Sequence, residues 1–147
     1  MRLREIEEIL LDYEFKDKKS KFKIFESFAE FSIFDIENNA NIEISGKLSP
    51  EGIELYGCGD DLFFDATEDG LKEMISKAEY QLKNCYRFEF FDASGEMLFI
   101  TQMVIEEDMT EERLKSMCES IKNEDKNIVK AKITSTKLSK EIDVLMK

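Results

Sequence analysis

Across residues 68–85 the apolar side chains Leu71, Met74, Ile75, Ala78, Leu82 and Cys85 recur at helical spacing, and on both sides of that stripe the apolar period drops to two. One strong amphipathic helix set between alternating segments leaves few architectures open. Upstream, Ala40, Ile42, Ile44 and Leu48 alternate with polar residues, Ser49-Pro50-Glu51-Gly52 has turn chemistry, and Ile53 and Leu55 resume the alternation. Downstream, Tyr86, Phe88 and Phe90 alternate with Arg87 and Glu89, and Asp92-Ala93-Ser94-Gly95 reads as a hairpin turn. Residues 97–105 are then almost continuously apolar, the pattern of a central strand buried on both faces.

Shorter signals complete the order. Leu3, Ile6, Ile9, Leu10 and Tyr13 lie at helical spacing opposite Glu5, Glu7, Glu8 and Asp12, so a first short helix is expected. Residues 16–23 hold five lysines and read as a solvated connection. The period of residues 22–36 is mixed: Phe22, Phe25 and Phe28 suit a helix, whereas Phe31 and Ile33 before Asn38-Asn39 suit a strand ending in a turn. A long strand with a bulge is the reading taken. Asp65 or Thr67 is placed to cap the main helix, and Thr110 with Glu111 and Glu112 opens another, with Leu114, Met117, Cys118 and Ile121 as its buried stripe. In the tail, Val129, Ala131 and Ile133 suit a short strand, and Leu138, Ile142 and Leu145 suit a final helix.

The expected fold is therefore α+β, a mostly antiparallel sheet of about five strands with helices packed on one face. Its order is α-β-β-β-α-β-β-α plus a C-terminal tail. A chain of 147 residues suits one domain, here residues 1–125, followed by a basic tail, 126–147.

Composition narrows the chemistry. The chain contains no histidine, which removes serine triads, Cys-His dyads and most zinc sites. Adjacent acids such as Asp60 and Asp61 or Glu111 and Glu112 read as solvated loop or capping residues rather than a catalytic pair. Asp65, Thr67, Asp69 and Gly70 match the start of a calcium loop, but Ser76 stands where the bidentate Glu is required, and helix capping explains the same residues. Gly57 and Gly59 lie among acids with no Gly-Lys-Ser/Thr behind them, so no phosphate loop is expected. Neither catalysis, a cofactor nor a metal is expected. The three cysteines are odd in number and sit in apolar patterns, which fits reduced core thiols. No apolar run approaches the roughly 18 residues of a membrane span, and the N-terminal stretch lacks a signal-peptide pattern, so a cytoplasmic protein is expected.

Charge separates the body from the tail. Of the net −12, residues 126–147 carry six lysines against Glu141 and Asp143, which leaves 15 basic and 31 acidic side chains in residues 1–125. Such a body repels nucleic acid and anionic lipid and attracts basic protein surfaces. No basic residue falls between Lys47 and Lys72, where seven acids lie, or between Arg87 and Arg113, where eight do.

The element order, with its hairpin followed by the acidic, capped helix start Met103-Val104-Ile105-Glu106-Glu107-Asp108-Met109-Thr110-Glu111-Glu112, resembles that of the type III secretion chaperones and the related YbjN-like proteins. The resemblance spans about the first 122 residues and departs at the lysine-bearing tail. It implies a non-enzymatic fold that often dimerises and, in the chaperones, holds an unfolded protein segment along its surface. Two functions follow as expectations. One is a chaperone-like or adaptor-like protein-binding module, with apolar residues such as Phe63, Phe64 and Met109 in or beside its expected loops. The other is an inhibitor of the toxin-immunity or anti-CRISPR type, with an acidic surface that blocks a basic, nucleic-acid-binding site. The candidate partner-binding residues are Asp60, Asp61, Phe63, Phe64, Glu106, Glu107 and Asp108, facing another protein with a basic surface.

Overall fold

A computed structural model of the chain describes residues 5, 8, 9, 20–25, 30–35, 42–49 and 52–146. These divide into two compact units, Met1–Lys83 and Asn84–Lys147. Both are α+β with antiparallel sheets, as the alternating segments around a central helix require.

In the first unit five strands follow one another in spatial as well as chain order: β1 (Ser20–Phe25), β2 (Glu30–Asp35), β3 (Glu43–Ser49), β4 (Gly52–Tyr56) and β5 (Leu62–Phe64). Residues expected as one long bulged strand are instead two, β1 and β2, paired antiparallel from Ser20 opposite Asp35 to Phe25 opposite Glu30. Residues 20–23 of the expected lysine-rich connection therefore belong to a strand. The β3–β4 hairpin is where the alternation placed it, and Ile42, Ile44, Ile53 and Leu55 are fully buried. Helix α1 (Glu68–Asn84) buries Leu71, Met74, Ile75, Ala78 and Leu82, and Cys85 already belongs to the next strand. Its N-cap is Thr67, whose Oγ1 accepts from Gly70 N at 3.0 Å. Gly70 packs against the main chain of Asp65 with no room for a Cβ. Of the expected first helix, Glu5, Glu8 and Ile9 are helical, and its other residues lie outside those described.

The second unit is a four-stranded sheet in the order β7-β6-β8-β9, formed by β6 (Cys85–Phe91), β7 (Met97–Val104), β8 (Lys130–Ser135) and β9 (Ile142–Leu145). Helix α2 (Glu111–Glu124) buries Leu114 and Cys118, with Met117 and Ile121 partly buried beside them, the stripe its spacing predicted. The core of this unit unites Tyr86, Phe88 and Phe90 of β6 with Leu114, Cys118, Ile128, Ala131, Ile133, Val144 and Met146. Residues 126–147 are thus no appendage: they supply two of the four strands and four of those core side chains beyond Ile128. The expected terminal helix is strand β9, paired with β8 and continued by Met146 N donating to Val129 O at 2.8 Å. The strands fall into two sheets, rather than the one sheet of about five read from sequence. All three cysteines are buried and outside any disulfide, and burial, with a smaller contribution from Glu119, pushes the Cys118 thiol up to about 11.

Candidate protein-binding edge

Strand β7 is built from Met97-Leu98-Phe99-Ile100-Thr101-Gln102-Met103-Val104, eight residues without a charge or a proline. Continuous apolarity predicted a central strand, but β7 lies at the end of its sheet, and among the described strands it pairs with β6 alone. Its first half is open to solvent: Met97, Leu98, Phe99 and Ile100 each expose 37–47% of their surface. A doubly buried strand and an open apolar edge give the same pattern in sequence, and pairing decides between them.

The hairpin geometry fixes what the edge presents. Asp92 anchors the turn, its Oδ1 accepting from Ser94 N at 2.9 Å, Ser94 Oγ at 2.6 Å and Glu96 N at 3.0 Å. The Ser94 hydroxyl bond in particular holds the Asp92 carboxyl below its ordinary pKa. Gly95 closes the turn at φ +87°, where a side chain would be strained. In the ladder, Phe90 faces Phe99, Phe88 faces Thr101 and Tyr86 faces Met103. The Phe90 and Phe99 rings lie 4.8 Å apart, so Phe99, like Met103, contacts the core even though part of it is exposed. Ile105 N donates to Asn84 O in the same register, and antiparallel alternation then turns the main-chain groups of Ile100 and Val104 away from β6. A bulge between Phe90 and Phe91 offsets Met97 by one residue.

Three side chains hold the acidic segment after β7. Lys137 Nζ donates to Glu106 O at 2.7 Å and Ile105 O at 3.1 Å and lies 3.8 Å from Asp108 Oδ1. Arg113 Nη2 donates to Glu107 Oε2 at 3.1 Å, and Met109 N donates to the hydroxyl of buried Tyr86 at 3.4 Å. Thr110 then caps α2 by accepting from Arg113 N at 3.2 Å. Glu106, Glu107 and Asp108 are exposed on this tethered loop, immediately beyond the edge strand.

The other four candidates lie in the first unit. Asp60 and Asp61 are exposed in the loop before β5, Phe63 is 73% exposed opposite Glu54, and Phe64 is half-buried opposite Ile53. Tyr56 records the local field: burial first, and then the charges of Glu30, Glu54 and Asp61, raise its pKa. In the ladder Glu30 of β2 and Glu54 of β4 flank Lys47 of β3, and Asp61 lies in the loop after β4. The candidates thus form two groups, each in its own unit.

Sequence reasoning missed Met97, Leu98, Phe99, Ile100 and Lys137. The apolar run reads as a doubly buried strand, and Lys137 falls in the basic tail. The only sequence signal for Lys137 was the alternation of Ala131 and Ile133, which brings the chain back along β6. The calcium-loop residues make a cap, as expected, through Thr67. Among the described residues no group of three or more Cys, Asp or Glu stands close enough to hold a metal ion. No described helix is long and apolar enough to cross a membrane. The chain matches no protein-family model, no curated protein and no solved structure.

Proposed function

We propose that this protein is a non-catalytic, cytoplasmic binding module of chaperone or adaptor type, which takes an extended segment of another protein onto β7 as an added strand. The observation that carries this reading is the uncharged edge of β7, open to solvent over its first half. Proteins blunt exposed edges with short strands, charges or proline, because a free ladder of N–H and C=O groups recruits any available strand. The remaining edges of the two sheets follow that rule. Strand β1 bears Lys21 and Lys23, β5 is three residues long, and β9 is four residues long with Asp143 within 3.9 Å of Lys130. Strand β7 has eight residues and no such guard. Main-chain bonding along it would supply affinity, and the exposed side chains of residues 97–100 would supply selectivity.

The reading is tested by residue-resolved amide exchange with and without an alternating Val-Thr octapeptide flanked by serines. Exchange at Ile100 and Val104 is expected to slow in the complex while that of Phe63 and Leu145 stays unchanged. Protection gained elsewhere and not on β7 would refute it.

The exposed pair Asp60 and Asp61, with the charges of Glu30, Glu54 and Asp61 that help raise the Tyr56 pKa, favours a second reading, an inhibitor whose acidic first unit blocks a basic surface. Its mark is association that weakens steeply with salt and is lost when Asp60 and Asp61 are reversed to lysine. Association insensitive to both would dispose of it.

A further inference from the structure

The same edge also carries a charge pattern that bears on what it takes. Residues 88–112, which contain β7 and both of its flanks, hold eight acids and no base. Asp92 and Glu96 precede the strand, and Glu106, Glu107 and Asp108 follow it. Arg87 bonds Glu89 at 3.0 Å, and Arg113 and Lys137 reach Glu107 and Asp108, so the eight acids of residues 88–112 still outnumber these three bases. Of the lysines on β8, Lys132 lies 3.3 Å from Glu141, whose hydrogen bond raises its pKa, and Lys130 lies 3.9 Å from Asp143 and 5.8 Å from the centre of the Phe91 ring. The strand, open over residues 97–100, is therefore uncharged along its length and bears acids at both ends.

We infer that the occupant of the β7 edge is a segment of another protein with an uncharged, strand-forming core of about eight residues and basic residues at both ends. This rests on the strand-addition reading and specifies its ligand. Glu96 and Glu106 stand ten positions apart, roughly 34 Å along an extended chain, which sets the spacing of the two basic ends. Because acids lie at both ends, either strand direction satisfies the pattern. A second copy of this chain is a poor occupant. Antiparallel pairing of β7 with its own copy would bring Glu96 of each chain toward the acids at 106–108 of the other, and each chain carries −12 overall.

The test uses the full chain and three synthetic peptides that share an alternating Val-Thr octapeptide core and carry two lysines, two serines or two glutamates at each end. Binding is followed by fluorescence anisotropy at low and high salt, with backbone amide shifts to locate each complex. The lysine-flanked peptide is expected to bind at least about ten-fold more tightly than the serine-flanked one at low salt, a difference of about 1.4 kcal/mol. That preference is expected to shrink to within about three-fold at 0.5 M salt. Glu96→Lys together with Glu106→Lys is expected to reverse the order of the lysine and glutamate peptides. Equal affinity of the lysine and serine peptides at β7 would overturn the charge rule and leave strand addition standing. Failure of all three to shift the Ile100 and Val104 amides would overturn both. A stable dimer in sedimentation equilibrium that the lysine-flanked peptide does not dissociate would assign the edge to a second copy and refute the inference.

Discussion

Replacing Ile100 by lysine separates the edge from the fold. Ile100 is 40% exposed and lies opposite Glu89 on β6. Complete burial of an isoleucine contributes about 1.5–3 kcal/mol, so its covered part contributes about 1–2 kcal/mol. The aliphatic stem of lysine retains much of that contact while its ammonium reaches water. An opposite charge across the ladder returns roughly 0.2–1 kcal/mol. The net change in stability is expected to stay within about 1 kcal/mol, read as a small shift of the urea midpoint at constant slope. Binding should respond quite differently, since a lysine on an open strand is the guard that the other edges use. For the serine-flanked peptide, whose ends carry no charge, affinity is expected to fall at least about ten-fold, or ~1.4 kcal/mol. Unchanged affinity would refute the role of the edge. A stability loss above about 2 kcal/mol would show that Ile100 is packed rather than open.

Phe88 is fully buried between Thr101 and Ile133 on the neighbouring strands, so Phe88→Ala is expected to cost about 3–5 kcal/mol in chemical denaturation of the second unit. At Gly70 two effects oppose: alanine gains up to about 1 kcal/mol of helix propensity, but its Cβ meets the Asp65 main chain, where overpacking costs about 1–3 kcal/mol. Net destabilisation by Gly70→Ala is the expected sign, and a raised thermal midpoint would contradict the close approach. The Cys118 thiol stays protonated in the folded chain up to about pH 11, whereas an unfolded cysteine ionises from about pH 8.5. Its contribution is therefore full below that lower value and lost as pH rises toward 11, and comparison of wild type with Cys118→Ala should show a shallower alkaline decline in the variant. Native thiols should also resist alkylation until denaturant is added.

The parts of the fold that could be read from sequence are those where one period dominates over many residues. Leu71, Met74, Ile75, Ala78 and Leu82 can share a face only in a helix, and Tyr86, Phe88 and Phe90 only in a strand. The errors lie where two periods overlap or where pairing, not local pattern, decides. Leu138, Ile142 and Leu145 fit a helical stripe, yet Ile142 and Val144 also alternate, and bonding to β8 selects the strand. Within residues 22–36, β1 up to Phe25 and β2 from Glu30 are two antiparallel strands rather than one, a pairing that their mixed period does not encode. Glu106, Glu107 and Asp108 were legible as an acidic, exposed segment from charge alone. That Lys137 of the supposed tail tethers them depends on the return of β8 along β6, a long-range pairing that spacing does not encode. The openness of β7 was invisible for the same reason.

The most direct test of the account is an amide-shift titration of the uniformly labelled chain with the serine-flanked peptide, in which no charge assists binding. Saturable shifts centred on Ile100 and Val104 and fading toward β9 are the predicted result. Shifts centred on residues 52–64, or none at millimolar peptide, would contradict the claim that β7 is the strand this protein offers to a partner.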